Sequence, residues 1–256
     1  MQQTNPVTHG NQVVKFADDT YIIIPAINAS RQTELSNGEA WARANNLKVN
    51  SAKYSEVVFL DKRRKTQPPP PIPGIERTTT VKILGVTITN NLSVSEHIRT
   101  VIGSCAQTMY ALKVLRAHGM DDVALQTVYR SVVIAKLQYS SSAWWGFTNA
   151  SDRQRVEASI RRSSRCNFAP ADLDSFEELC RAADERLFNS IVGNKHHVLH
   201  HLLRLPPKSE ASQCYNLRPR TQISKLPERS TTSLYPAIPR FVNCLYHCYL
   251  YRSLQT

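Results

Sequence analysis

The feature that most constrains the fold of this chain is a pair of adjacent carboxylates between two apolar runs. Val13-Val14 precedes the pair and Tyr21-Ile22-Ile23-Ile24 follows it, so strand-forming β-branched and aromatic residues lie on both sides. The four central residues are Phe16, Ala17, Asp18 and Asp19. Asp tolerates the backbone angles of a short hairpin turn, so the pattern predicts a β-hairpin with the two acids displayed at its tip.

The acidic pair has two interpretations. Asp-Asp is a common solvated turn dipeptide, which would make the hairpin an ordinary surface turn. Two neighbouring negative charges are also unfavourable unless a cation shares them, and hard oxygen ligands of this kind suit Mg²⁺ or Mn²⁺. Under the second interpretation Asp18 and Asp19 belong to a divalent-metal site for phosphoryl transfer. The segments that follow the hairpin favour the metal site.

Three segments resemble, in order, the palm of the reverse transcriptase of a LINE-type (non-LTR) retrotransposon. Residues 15–21 resemble the aromatic-Ala-Asp-Asp hairpin of that family, motif C. Residues 46–53, with Asn50 and Lys53, resemble motif D. Residues 81–88, with Leu84-Gly85, resemble motif E, the strand pair that joins palm to thumb. Three motifs in the family's order are more specific than any one of them.

The resemblance implies template-directed nucleotidyl transfer by two-metal catalysis, with Mg²⁺ or Mn²⁺ as cofactor and an RNA template and DNA primer as partners. Asp18 would be the principal metal ligand and Asp19 a supporting one. Lys53 would act as a general acid toward the departing pyrophosphate, and Asn50 would fix the loop that carries it. The residues that support the motifs are Phe16, Ala17, Leu84 and Gly85.

The resemblance also implies parts that lie upstream of the hairpin. The family's palm needs a further metal-binding Asp on the motif A strand, the motif B loop and the fingers, yet only 15 residues precede Phe16. We therefore expect a truncated polymerase, inactive alone, whose missing segments would be a partner. Without the motif A strand, one sheet edge of the hairpin would be left unpaired.

The hydrophobic period becomes helical after Ser93. A capping box at Ser93–Glu96 begins one helix, and further helices are predicted over residues 122–137 and 151–165. The third helix carries a cluster of arginines: Arg153, Arg155, Arg161, Arg162 and Arg165. In the resemblance these helices form the thumb, which grips the template-primer duplex by its backbone. A merely solvated charged face is the alternative for these arginines.

Two further groups of residues have open interpretations. Residues 61–65 form a mostly basic run, and the prolines from Pro68 to Pro73 predict an extended polyproline connector on the surface. The connector either spaces two strands or serves as a PxxP ligand for a signalling domain. His196, His197, His200 and His201 form i, i+4 pairs on an expected helix, and Cys244, His247 and Cys248 follow downstream. These His and Cys groups are candidate zinc sites by residue type, although neither has a zinc-knuckle or zinc-finger spacing.

Composition agrees with a nucleic-acid enzyme. The net charge of +12 favours polyanionic partners. The expected fold is α+β: part of a reverse-transcriptase palm over residues 1–92, a helical thumb bundle over 93–170 and a helical, basic, partly irregular tail over 171–256. The sequence has no readable signal peptide and no apolar run of membrane-spanning length, so we expect an intracellular protein, nuclear or cytoplasmic. A non-catalytic nucleic-acid-binding remnant is the alternative function.

Overall fold

The computed structural model describes residues 5–25, 27–59 and 67–200, and the backbone of 248–254. Helices and strands both contribute, which confirms the α+β class. The described chain forms two compact units. Among the described residues, the first unit contains 5–25, 27–59, 67–100, 147–149 and 248–254, and the second contains 101–146 and 150–200.

The first unit is built on a five-stranded sheet. Its elements are β1 (Gln12–Phe16), β2 (Asp19–Pro25), α1 (Arg31–Ala44), β3 (Ser55–Val58), β4 (Glu76–Thr78) and β7 (Cys248–Leu254). The strand order is β1-β2-β7-β3-β4, and β5 (Thr80–Ile83) and β6 (Val86–Thr89) form a separate two-stranded sheet. The predicted hairpin is therefore present as β1 and β2, and it lies at one side of the larger sheet.

The sequence did not predict the neighbour of the hairpin. β7 pairs antiparallel with both β2 and β3, so β2, α1 and β3 form a split β-α-β unit with one strand inserted. On the β2 side of the hairpin a strand from the far end of the chain provides the partner, whereas β1 is the outermost strand of the sheet among the described residues. Backbone hydrogen-bonding groups strongly favour such pairing over an open edge.

The two faces of the sheet pack against different partners. Ile22, Ile24 and Val58 face one side and are buried with Leu35 of α1. Tyr21, Ile23 and Val57 face the other side, where Val81 of β5 and Leu92 complete a second cluster. The alternation follows the two-residue period of a strand. It buries both faces of β2, which explains why residues 21–24 form a continuous apolar run rather than an alternating one.

Helix α1 is continuous through Ser36-Asn37-Gly38, three residues of low helix propensity. The burial of Leu35 and Ala42 holds the helix on the sheet through this segment. A Cβ at Gly38 would lie 3.7 Å from Cδ1 of Ile22, an ordinary van der Waals distance. Tertiary packing therefore outweighs the low helix propensity of these residues.

The second unit is helical. α2 (Ser95–Ala117) begins in the first unit and continues into the second, and the later helices are α3 (Asp122–Val128), α4 (Ala135–Gln138), α5 (Ser141–Trp144), α6 (Ala150–Arg165) and α7 (Phe176–Gly193). A π-helical turn at Tyr129–Ile134 joins α3 to α4, where the sequence predicted one regular helix. No helix among the described residues has both the length and the apolar character that a membrane crossing needs.

The histidine group does not form as predicted. α7 ends at Gly193, so His196, His197 and His200 lie beyond this helix, His196 in a turn and His200 at a 3₁₀ position. The described residues contain no cluster of three His, Cys, Asp or Glu side chains suited to a metal ion. His201, Cys244 and His247 lie outside the described residues, and only the backbone of Cys248 is described.

Candidate active site

The hairpin turn is displaced by one residue from its predicted position. Phe16 pairs with Asp19, so the two loop residues are Ala17 and Asp18. Ala17 has φ +52°, in the left-handed region that short hairpin loops require and that Ala adopts only with strain. The prediction that both acids occupy the tip is therefore wrong. Asp18 is exposed in the loop, whereas Asp19 is half-buried as the first residue of β2.

The Asp19 side chain lies on the same face as Tyr21. The Tyr21 hydroxyl donates a hydrogen bond to Oδ2 of Asp19 at 3.1 Å, as expected for residues two apart on a strand. Tyr21 is itself buried, so this hydroxyl has a fixed position from which it orients the carboxylate. Phe16, the strand partner of Asp19, is 58% exposed beside the loop.

Lys53 lies in a short, anchored loop. It ends a 3₁₀ turn, Ser51–Lys53, and the Asn50 side chain accepts a hydrogen bond at 3.2 Å from the Ala52 amide at the start of that turn. The next residue, Tyr54, is buried, and its hydroxyl donates to Oε1 of Glu39 at 3.3 Å. Burial and the adjacent carboxylate raise the pKa of Tyr54. Tyr54 and Asn50 thus hold the loop in place while the Lys53 side chain remains exposed.

The strand register brings the two motifs to the same end of the sheet. Tyr21 and Ser55 are both paired with Arg252, and Ile24 and Val58 are both paired with Tyr249. β2 and β3 therefore run in the same direction, in step, with β7 between them. Asp19 is the first residue of β2, and Lys53 ends the 3₁₀ turn that comes two residues before β3, so both residues lie at this end of the sheet.

The side chains at this end of the sheet provide some, but not all, of the oxygen ligands that a hard divalent cation needs. Asp18 and Asp19 offer carboxylate oxygens, and Mg²⁺ commonly takes one or two carboxylates and completes its shell with water and substrate phosphates. The strand next to β2 adds no acid: β7 contains neither Asp nor Glu, and Leu254 is the residue paired with Asp19. The pair alone could therefore hold a cation, but it lacks the third carboxylate that the resemblance implies.

The motif E residues occupy the loop of the smaller hairpin. Ile83 pairs with Val86, which leaves Leu84 and Gly85 as the loop, with φ +45° and +88°. A type I′ turn requires positive φ at both loop positions, and this explains the glycine. The buried Val81 fixes this hairpin against the face of β2 that carries Tyr21.

The arginines of α6 divide into two groups. Arg153 is half-buried, and its guanidinium carbon lies 5.1 Å from the centre of the Trp145 ring. The other four are exposed and lie within about 120° of one another around the helix, since each residue advances about 100°. They are Arg155, Arg161, Arg162 and Arg165.

Neither acid of α6 is exposed on this face. Asp152 is buried, with one carboxylate oxygen 3.9 Å from a guanidinium nitrogen of Arg155. Glu157 is half-buried and accepts a hydrogen bond from the Phe176 amide at 3.2 Å. The remaining exposed side chains on this arc are Ser151 and Gln154. The four-arginine surface of α6 is therefore a positive face without exposed acid, suited to phosphate contacts.

No protein-family model matches this chain, and no curated protein or solved structure is significantly similar to it.

Proposed function

We propose that this chain is the C-terminal portion of the reverse transcriptase of a LINE-type retrotransposon, comprising part of the palm, the thumb and a basic tail. The observation that carries the proposal is the placement of Asp19 and Lys53 at the same end of one sheet. These residues were singled out by separate motifs, 34 positions apart in the sequence. A chance Asp-Asp turn would give no reason for the motif D lysine to lie at the same end of the sheet.

The proposed roles follow from exposure and orientation. Asp18 and Asp19 would hold Mg²⁺, with Asp19 fixed by the Tyr21 hydroxyl and Asp18 free to adjust in the loop. The cation supplies charge stabilisation for the attacking and leaving oxygens of phosphoryl transfer. Lys53, on a loop held by Asn50, would donate a proton to or neutralise the departing pyrophosphate.

The same geometry predicts that the 256-residue protein does not polymerise DNA by itself. The strand beside β2 contributes no carboxylate, so the acid that the resemblance places on motif A has no counterpart there. A primer-extension assay with Mg²⁺ or Mn²⁺ tests this directly. We expect no extension, and robust extension by the purified chain would contradict the incomplete-site reasoning.

Metal binding tests the site without depending on activity. Mn²⁺ added to ¹⁵N-labelled protein should broaden the amide resonances of residues 16–20 first and those near Lys53 next, because paramagnetic broadening falls steeply with distance. Asp18→Asn with Asp19→Asn should abolish both effects. Asp174→Asn, an exposed acid outside the site, is the matched control and should leave them unchanged. Broadening that persists in the double variant would refute the site.

A second function, nucleic-acid binding without chemistry, is favoured by the four-arginine surface of α6. This surface lies in the second unit and does not depend on the metal site. Titration of an RNA–DNA duplex at increasing salt would test it, because phosphate contacts release counterions and give a linear loss of log affinity. Absence of binding at low salt would reject this function.

A further inference from the structure

The face of the hairpin that α1 covers carries a polar cluster near the loop. Lys15 of β1 is paired with Thr20 of β2, and the side chains of paired residues lie on the same face of a sheet. Thr20 is two residues before Ile22, which is buried against α1, so all three side chains lie on this face. Asp19 of the proposed metal site lies on the opposite face, with Tyr21.

Trp41 of α1 lies over the Lys15–Thr20 pair. A Cβ at Gly38 would lie 3.7 Å from Cδ1 of Ile22, so this turn of α1 is in contact with β2. Trp41 is three residues after Gly38, on the same side of the helix. Thr20 is two residues before Ile22, on the same side of the strand. The Lys15 ammonium lies 3.8 Å from the centre of the Trp41 ring, which places the indole at the Lys15–Thr20 pair.

Two buried polar atoms in this cluster have no hydrogen-bond partner in the part of the chain that the structure describes. They are Nε1 of Trp41 and Oγ1 of Thr20. An indole N–H can only donate, whereas a hydroxyl can donate or accept. Leaving a buried donor unpaired costs about 1–3 kcal/mol, so two such atoms in one cluster indicate a bound water or ligand.

The cluster also contains a cation that is not paired with an acid. No carboxylate among residues 5–25, 27–59 and 67–200 forms an ion pair with the Lys15 ammonium, and partial burial lowers the pKa of Lys15. The acids of α1 are engaged elsewhere. Glu34 accepts a hydrogen bond from the Thr8 amide at 2.7 Å, and Glu39 accepts one from the Tyr54 hydroxyl at 3.3 Å. The cluster therefore offers three donors and a positive charge.

We propose that Lys15, Thr20 and Trp41 form a binding site for a phosphate group. Phosphate oxygens are strong acceptors, and the ammonium, the indole N–H and the hydroxyl can each donate to one of them. A water molecule would satisfy the two buried atoms but not the charge of Lys15, which favours an anion. No donor of this site belongs to the proposed metal site, so the phosphate site does not depend on the polymerase assignment.

The exposure of the three residues sets the form of the ligand. Thr20 and Trp41 are half-buried and their polar atoms are covered, whereas Lys15 is exposed and has a long, flexible side chain. Lys15 is therefore the residue that moves to admit the ligand. A terminal phosphate has a single substituent and can enter end on, whereas a phosphodiester carries a substituent on either side. We expect the site to select a free or terminal phosphate.

The indole N–H of Trp41 reports binding directly. The full ¹⁵N-labelled protein gives one indole resonance for each of its three tryptophans, and Trp41→Phe assigns the resonance of interest. Inorganic phosphate, titrated at constant ionic strength against chloride, should shift that resonance and saturate at millimolar concentration. The indole of Trp144, which donates to the Tyr139 carbonyl at 2.9 Å in the second unit, is an internal control and should not move.

Two variants test the other donors. Thr20→Val removes the hydroxyl but keeps a β-branched strand former, and Lys15→Gln removes the charge. Each should weaken phosphate binding by about tenfold or more. Lys48→Gln removes an exposed lysine that follows α1, and this matched control should change the affinity by less than about twofold. Thermal unfolding of each variant separates lost binding from lost folding.

Three results would overturn the proposal. The first is a Trp41 resonance that phosphate, up to about 50 mM, moves no further than chloride does. The second is an affinity that neither Thr20→Val nor Lys15→Gln changes. The third is a nuclear Overhauser effect from a long-lived water to the Trp41 indole proton that phosphate does not displace, because water alone would then occupy the site. Dimethyl phosphate should bind at least about tenfold more weakly than inorganic phosphate, and equal binding would contradict the selection of a terminal phosphate.

Discussion

Replacing Arg161 and Arg165 by Ala should lower both the affinity for a nucleic-acid duplex and the salt dependence of binding. The two residues are four positions apart on α6, exposed, and on the face that lacks exposed acid. If all four arginines of the α6 surface contact phosphates, the slope of log affinity against log salt is about −3.6 for a B-form duplex. The double variant should retain about half of that slope.

The expected difference is large enough to measure. Between 50 and 200 mM salt the wild-type affinity should fall by about 150-fold and that of the double variant by only about 12-fold. Fluorescence anisotropy with a labelled duplex of about 20 base pairs, at four or five salt concentrations, gives both slopes. The duplex sequence should matter little, because phosphate contacts carry no sequence information.

The control removes the same charge from another helix. Arg181→Ala with Arg186→Ala also deletes two exposed arginines, but from α7, where Glu177, Glu178, Asp184 and Glu185 outnumber them. This control should keep the wild-type slope. Equal slopes for the wild-type and α6 double variants would show that the four-arginine surface does not contact the duplex. Equal losses in both double variants would mean that only net charge matters.

Three further outcomes follow from the packing. Glu56→Gln should lower the free energy of unfolding by about 3 kcal/mol, because Arg31 and Arg77, 15% and 25% exposed, would lose their buried carboxylate. The control Glu76→Gln, at an exposed residue, should change the free energy of unfolding by under about 0.5 kcal/mol. Urea titration measures both values, and equal effects of the two variants would contradict the role of the buried carboxylate. Gly85→Ala should cost about 1–2 kcal/mol in the same titration because its φ is +88°, and an unchanged midpoint would refute the type I′ turn. Burial raises the pKa of Cys105 from 9.0 to about 11, so the folded state keeps a proton that the unfolded state loses, and stability should fall as pH rises from about 9 to about 11. Cys105→Ala should flatten that part of the pH profile, and an unaltered alkaline loss would assign it to other groups.

The hairpin was predictable because its signal is local, but its register was not. Strand formers on both sides of a turn residue identify β1 and β2 from sequence alone. The strand that leads into the loop contacts another element: the Lys15 ammonium lies 3.8 Å from the centre of the Trp41 ring on α1. A local pattern contains no information on such a contact.

The other differences between the predicted and the observed structure also come from contacts that are distant in sequence. The strand β7 has strand formers in Tyr249, Leu250 and Tyr251, which are a usable signal, but its partners lie some 200 residues away in sequence. The π-helical turn at Tyr129–Ile134 inserts one residue into a regular apolar period and leaves no marker in the sequence. The arginines of α6 were predictable as a group, whereas the burial of Asp152 and the hydrogen bond of Glu157 to the Phe176 amide needed the folded structure.

The position of β7 connects the stability of the sheet to the chemistry of the site. A strand has two hydrogen-bonding edges, and β2 already uses one for β1 and the other for β7. Any strand that carried a third carboxylate to the side of Asp19 would need the edge that β7 occupies. If the proposed function is correct, the form of the sheet with β7 in place and the form competent for polymerisation are mutually exclusive. Deleting β7 alone should therefore expose the edge without creating activity, because no acid would replace Leu254 beside Asp19.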